Sequence, residues 1–446
     1  MAPSFPKMGL AARSIKPAPL FLAQRAPGNI QSLLPDRRLS NCAVITPPDR
    51  QTPLWVAAGL ALGPLVGLGL ARFAYAQLLP AMRADLGWSY AEAGSMSTAN
   101  ALGYLIGAAL AAPIADRLGG KRLFVGGLLL AALSLLATAA ARDFAVLLAL
   151  RLVGGVAGAA TFVAGGGLAA AAGAGGGPRR IALMLGIYFC GPGAGIVLSA
   201  PLLPALLRDA GGHDWPRGWL ALGCLALLAG AAVVIAVGRA VEPERRRGGG
   251  GGGWSARFLL PTFAAYALFG IGYIAYMTFI IAYLRAHGFA ASATVLFWMA
   301  IGLAAMAGPL WTPILARLRG GHGVLAVMTV QTVGAALPLA GDGTLTLLIS
   351  AVTFGSSLPA IGVAVTAVGR RAAAPAAWTA VIGAMTVAFG IGQCIGPVLA
   401  GRLSDGPGGI RAGLLLSAAI LALGAAAGAL PREPAARQPT GGAGAR

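Results

Sequence analysis

The sequence predicts an all-α polytopic membrane protein, with twelve transmembrane helices in two pseudo-symmetric six-helix bundles. Three observations carry that expectation. First, 57% of the 446 residues are hydrophobic and only 10% are charged, where a soluble chain carries about a quarter charged residues. Second, the apolar residues gather in runs of about 20, the length needed to cross the hydrocarbon layer. Third, the second half of the chain repeats landmarks of the first. The apolar excess is more than a soluble fold can hide, and it excludes disorder over most of the length. A net charge of +20 suggests polyanion binding. No soluble domain is present to cluster those cations, so nucleic acid is not an expected partner.

Taken in order, the spans read 54–80, 91–114, 122–141, 144–168, 181–203 and 217–238, then 257–284, 293–316, 322–340, 344–368, 378–400 and 410–430. They are numbered 1 to 12 here. Gly, Pro and charge mark the connections at 117–122, 175–180, 341–343, 370–375 and 404–411. Helix is the expected state throughout, because open sheets leave backbone groups unsatisfied in lipid. Residues 1–53 are basic and Pro-rich, without the apolar core of a signal peptide, and read as a disordered cytoplasmic tail. Residues 239–256 carry three consecutive arginines and six consecutive glycines, a flexible cytoplasmic linker. It divides an N-terminal bundle, 54–238, from a C-terminal bundle, 257–430, and residues 431–446 form a second cytoplasmic tail.

Arginine and lysine placement sets the orientation. With both termini cytoplasmic, 24 of the 33 Lys and Arg fall in inside segments and 7 in outside loops; without residues 1–53 the ratio is 17 to 7. That asymmetry is the positive-inside signature. The chain is therefore expected as a multi-pass protein of the cell (inner) membrane, surrounded by the lipid bilayer. Cys190, Cys224 and Cys394 sit inside apolar runs without CxxC spacing or neighbouring His, and read as small packing residues.

The internal repeat rests on three matches. Gly69-Leu-Ala-Arg-Phe-Ala-Tyr75 aligns with Gly270-Ile-Gly-Tyr-Ile-Ala-Tyr276, Pro113-Ile-Ala-Asp-Arg-Leu118 with Pro313-Ile-Leu-Ala-Arg-Leu318, and Gly191-Pro192 with Gly396-Pro397. The offsets are 201, 200 and 205 residues, which lays spans 1, 2 and 5 on spans 7, 8 and 11. Two such halves meeting at a midplane cavity form a transporter architecture.

Ala112-Pro-Ile-Ala-Asp116-Arg117-Leu-Gly119-Gly-Lys121-Arg122 resembles the loop 2–3 motif of the major facilitator superfamily (MFS), with Ala112 in place of the usual first Gly. Arg151-Leu-Val-Gly-Gly155 is similar to its helix-4 arginine motif, and Gly191-Pro192-Gly-Ala-Gly195 to its helix-5 Gly-Pro motif. Within the superfamily, Leu70-Ala-Arg72-Phe73-Ala74-Tyr75, Asn100-Ala-Leu-Gly-Tyr104 and Gly272-Tyr273-Ile-Ala-Tyr276 resemble the YbfB/YjiJ group. The resemblance covers about residues 54–430 and implies the MFS fold, with spans 3, 6, 9 and 12 outside and the others lining a cavity. It further implies a secondary transporter that moves a small organic solute by alternating access. In that reading Asp116, Arg117 and Arg122 latch the inner ends of the bundles. Ala316 stands at the matching position of the second repeat, so such a latch is asymmetric.

Two cations lie at depth. Arg72 is well inside span 1 and Arg151 about two turns into span 4, while none of the 13 Asp and Glu falls mid-span. A charge within the membrane marks a water-filled path or a paired site. With no acid to pair it, a guanidinium favours an anionic guest that it grips bidentately. Arg72 and Arg151 are accordingly candidate contacts for an organic anion, against the alternative that Arg151 ties span 4 to neighbouring carbonyls. Ser97, Asn100 and Tyr104 share a face of span 2 and Thr386 with Gln393 a face of span 11, by spacing of i, i+3 and i+7. Asn100, Tyr104, Gln393, Tyr75, Tyr273 and Tyr276 complete the candidate binding set. Gly191-Pro192 and Gly396-Pro397 remove a backbone donor and free their helices to bend.

The missing buried acid weakens proton coupling through a mid-membrane carboxylate, and the coupling ion is left open. A drug or amphiphile exporter of the same fold is the nearest rival reading. A membrane-embedded enzyme would need convergent nucleophiles, acid/base pairs or metal ligands within the spans, and a nontransporting receptor is the remaining alternative. No catalytic residue, cofactor or metal site is expected, and the chain reads as a monomer with a small-molecule substrate as partner.

Overall fold

A computed structural model describes residues 52–207, 212–243, 256–341 and 343–430. The expected tails and all but the ends of the expected linker lie outside them. Among the described residues every regular element is helical.

Among the described residues ten helices are long and apolar enough to span a membrane, and a bent pair brings the number to eleven. One of the ten, Phe144–Leu206, has 63 residues, about 95 Å of helix at 1.5 Å per residue against a hydrocarbon layer of about 30 Å. It is two spans. Helix Phe144–Gly173 ends in a 3-10 turn at Ala174–Gly176, and Gly177 at φ +75° reverses the chain into Gly177–Phe189. The Tyr188 hydroxyl then donates to the Phe162 carbonyl at 2.8 Å, so the second helix runs back along the first. The twelve expected spans are all present.

Local sequence explains their ends. Span 1 stops at Gly87 in the left-handed region, and span 2, Tyr90–Leu118, starts at a capping box. There the Ser89 hydroxyl accepts from Glu92 N at 3.1 Å while Ser89 N donates to Glu92 Oε2 at 2.8 Å. Asp143 accepts from Val146 N at 2.9 Å at the start of span 4. Span 2 is longer than expected: Asp116 and Arg117, read as loop, lie in its last turn, and the helix stops only at Gly119 with φ +91°.

Three spans are irregular. Span 1 runs as α-helix over Leu54–Pro64, as π-helix over Leu65–Phe73, and as α-helix again over Tyr75–Leu86. Span 5 breaks at Cys190, just before Gly191-Pro192. Span 8 joins Ala291–Met306 to Gly308–Arg317 with a bend of 54°, where Pro309 and Pro313 withhold backbone donors.

Packing follows the repeat. Spans 3 and 6 make their main contacts within spans 1–6, and spans 9 and 12 within spans 7–12. The halves meet chiefly through spans 2 and 11, 5 and 8, and 1 and 7. Span 7, Arg257–Ala286, is the most enclosed, with 83% of its apolar window buried. Large apolar side chains such as Leu228, Val234, Ile235 and Leu423 remain exposed on the outside of the protein, the surface a lipid layer would cover.

Candidate functional site

Arg72 sits at the last turn of the π-helical stretch of span 1 and is 6% exposed. π-Bulges are rare and recur at functional sites because they re-aim the side chains around them. The Arg72 guanidinium crosses from the first half to the second: Nη2 donates to Gln393 Oε1 of span 11 at 2.6 Å. Gln393 in turn donates through Nε2 to the Tyr273 hydroxyl of span 7 at 2.9 Å. The Tyr104 ring of span 2 lies 5.3 Å from the centre of the Arg72 guanidinium, a cation–π distance. Four of the expected residues therefore converge from spans 1, 2, 7 and 11. Arg72 Nε, like Arg151 Nη2, is buried without a hydrogen-bond partner among the described residues. Arg72 also lines a small cavity between spans 1, 2 and 7 with Phe73, Ser97, Ile274, Met277 and Thr278. Two of these hydroxyls meet across the halves, Thr278 Oγ1 and Ser97 Oγ lying 3.1 Å apart.

Beside this group stands an aromatic shelf that sequence reasoning missed except for Tyr273. Tyr266, Phe269 and Tyr273 follow each other at i, i+3 and i+7 on span 7, and Phe389 of span 11 lies against all three. The rings are nearly parallel, with Tyr266 to Phe389 at 4.7 Å and 9°, and Phe269 to Tyr273 at 4.8 Å and 8°. Tyr266 and Phe389 keep part of their surface open. Phe389 precedes Gln393 by one turn, so the shelf and the Arg72 contact share one face of span 11.

The other buried arginine is held differently. Arg151 Nη1 donates to the Ala71 carbonyl at 2.5 Å and Nε reaches the Met96 carbonyl at 3.5 Å. Its guanidinium lies 4.9 Å from the Tyr75 ring centre and 5.4 Å from that of Trp219. Asn100 donates to the Arg151 carbonyl at 3.1 Å, and the Tyr75 hydroxyl to the Ala93 carbonyl at 2.8 Å. Arg151, Tyr75 and Asn100 thus join spans 1, 2, 4 and 6, and Arg151 fastens the backbone residue next to Arg72. Tyr276, the repeat partner of Tyr75, is fully buried against span 10, within 3.2 Å of the Ser350 hydroxyl and 4.3 Å of the Phe354 ring centre.

The two ends of the spans 2–11 contact differ. At one end Asp405, just past span 11, accepts from Tyr90 N at 2.7 Å and Ala91 N at 2.9 Å, capping span 2. The contact continues inward, with Thr98 Oγ1 donating to the Cys394 carbonyl at 2.8 Å. At the opposite end of span 2, Asp116 and Arg117 are exposed, and with Arg122 they make no hydrogen bond or ion pair among the described residues. Of the Gly-Pro pairs, Gly191 lies on span 1, where a Cβ would fall 2.2 Å from the Ala61 carbonyl, and Gly396 on span 7, 2.3 Å from that of Ile271. Both let two helix backbones touch. No group of three His, Cys, Asp or Glu able to hold a metal occurs among the described residues.

The chain is 34% identical over 151 residues to a gallate transporter of Pseudomonas putida, a stretch that spans 34% of this chain and 32% of that protein. Its fold is similar to the crystal structure of a mutant of the nucleoside transporter NupG, with a TM-score of 0.70 and 14% identity over 84% of this chain and 99% of that one. It is also similar to a bacterial homologue of the human lysosomal transporter Spinster in an inward-facing, occupied conformation, with a TM-score of 0.63 and 17% identity over 84% and 96% of the two chains. The family model described as "Uncharacterised MFS-type transporter YbfB" matches residues 64–429. The chain belongs to that family of major facilitator superfamily transporters.

Proposed function

We propose that this protein is a secondary transporter of a small organic anion, and that Arg72 is the residue that contacts it. One observation carries the reading. Arg72 is buried where spans 1, 2, 7 and 11 meet, it has no carboxylate partner among the described residues, and its side-chain hydrogen bond goes to a neutral amide, Gln393. A cation in that position lacks the counter-charge that ordinarily offsets its desolvation, and an anionic guest supplies it. Similarity to a gallate transporter points the same way, toward an organic acid.

Residues 54–238 and 257–430 act as two six-helix bundles that rock about this site. With both termini cytoplasmic, in the inner membrane, the end closed by Asp405 and Tyr90 faces outward, and the end where Asp116 and Arg117 are exposed faces the cytoplasm. Asp116, with Arg117 and Arg122, engages when the inner end closes, and Gly191-Pro192 and Gly396-Pro397 let spans 5 and 11 flex. The protein works as a monomer without a cofactor.

Uptake of labelled carboxylates into proteoliposomes tests the reading. Arg72→Met is expected to abolish uptake, and Arg72→Lys to reduce it at least about tenfold, because a point charge does not reproduce the planar fork. Undiminished uptake by both variants would remove Arg72 from the site and favour an apolar exporter cavity.

A further inference from the structure

The edge of Arg72 that recognises carboxylates holds a buried donor without a partner among the described residues. A guanidinium receives a carboxylate through two parallel N–H···O bonds, and one edge able to do so presents Nε and Nη2. In this structure Nη2 gives one of its two N–H groups to Gln393 Oε1 at 2.6 Å, and Nε, though buried, has no partner among the described residues. An amide offers one acceptor oxygen, so it fills one position of the fork and leaves the other unsatisfied. The bond to Gln393 already has a charged donor, and a carboxylate adds the opposite charge and a second acceptor oxygen. A free carboxylate therefore outcompetes Gln393 for this edge and satisfies both donors at once.

Resting on the assignment of Arg72 as the anion contact, we infer that Gln393 holds the place of a substrate carboxylate and that the substrate is an aromatic monocarboxylate. The aromatic half of the inference comes from the shelf. Phe389, one turn before Gln393, presents a partly open ring near-parallel to the partly open ring of Tyr266, and Tyr104 lies over Arg72 itself. A planar ring joined to a carboxylate stacks on this shelf while its charge is gripped, whereas a saturated ring lacks the flat face that offset stacking needs.

The exchange has a mechanical consequence. Arg72 belongs to span 1 and Gln393 to span 11, so their hydrogen bond links the two halves of the chain. Gln393 keeps its second bond, to Tyr273 of span 7, within its own half. When the carboxylate displaces Oε1, the direct link between halves is replaced by one that runs through the substrate. Binding thereby acts on the bundle equilibrium as well as on the site.

The full-length protein in nanodiscs, titrated with benzoate, benzamide and cyclohexanecarboxylate by tryptophan fluorescence and thermal shift, tests this. Benzoate is expected to bind at least about tenfold more tightly than benzamide, which lacks the charge. Its margin over cyclohexanecarboxylate is expected to be about threefold to tenfold. Gln393→Leu removes the competitor, and should bind benzoate more tightly than the wild type. Gln393→Glu tethers a carboxylate in the fork, and should stay folded, with an undiminished melting temperature, while losing benzoate binding. Loss of benzoate binding by Gln393→Leu would overturn the place-holder role and leave Arg72 as the contact. Equal affinity for benzoate and cyclohexanecarboxylate would overturn the aromatic class alone. Wild-type benzoate affinity in Arg72→Met would overturn the Arg72 assignment itself, and absence of binding by either carboxylate would overturn both.

Discussion

Arg72 and Arg151 are both buried in the spans, at 6% and 4% exposure, and neither makes an ion pair among the described residues. Their surroundings differ in kind. Arg151 is enclosed by groups that cannot leave: backbone carbonyls of spans 1 and 2 and the faces of Tyr75 and Trp219. Arg72 is held by the end of one flexible side chain and the Tyr104 ring, and each arginine keeps one buried donor without a partner among the described residues, Nε of Arg72 and Nη2 of Arg151. All of Arg151's contacts lie within spans 1–6, while Arg72 reaches across to spans 7–12. A buried cation satisfied by backbone is part of the scaffold, and one satisfied by an exchangeable neutral side chain is part of a site.

The comparison is tested most severely by replacing each arginine with methionine, which roughly keeps volume and removes charge. Arg151→Met leaves the Ala71 carbonyl without its guanidinium donor and removes two cation–π contacts. The expected cost is about 2–4 kcal/mol, read as a large fall in melting temperature in detergent. Arg72→Met breaks one hydrogen bond but also removes a buried, unpaired charge. Its stability is expected to stay within about 1 kcal/mol of the wild type, with transport lost. If both variants unfold alike, the distinction between scaffold and site fails. A finer version uses Arg151→Lys, which keeps the charge and loses the fork. The π-helical stretch that contains Ala71 would then be less firmly held, and Arg72 less well aimed. The expected result is a raised KM for the transported carboxylate in a folded protein; an unchanged KM would confine Arg151 to stability.

Much of the fold is legible in the sequence for simple reasons. A membrane span must be apolar for about 20 residues, and the Ser89–Glu92 capping box and Gly87 announce a helix end and the next start. Arg72 stands out because charge at depth is costly, and Gln393 because a polar side chain on an apolar helix faces something other than lipid. What they face is not written locally, since the two are separated by 321 positions. Sequence separates the arginines only in outline, by depth and by the alternative that Arg151 ties span 4 to carbonyls, because the particular acceptors are backbone groups that every residue carries. The aromatic shelf left a trace in the spacing of Tyr266, Phe269 and Tyr273. That spacing equally describes ordinary helix packing, and only the arrival of Phe389 from span 11 makes it a shelf. Asp405 reads as one more helix-end acid, with partners that are N–H groups 314 and 315 residues away.

Asp405 supplies the smallest and most specific test. Like the Arg72–Gln393 bond, its cap on span 2 crosses between halves, so it belongs with the exchangeable contacts and should break when this end opens. Removing an N-cap side chain costs about 0.5–2 kcal/mol. Asp405→Ala would apply that cost only to the conformation in which spans 2 and 11 touch at this end, since in the other the carboxylate faces water. The equilibrium should shift toward opening by about twofold to thirtyfold. Spin labels on the loops flanking Tyr90 and Asp405 would report a longer distance population, with global stability little changed. The same energy lost as lower melting temperature, with no change in the distance distribution, would mean that the cap is permanent. Exchangeability would then be a property of the Arg72 site alone and not of the whole seam between the halves.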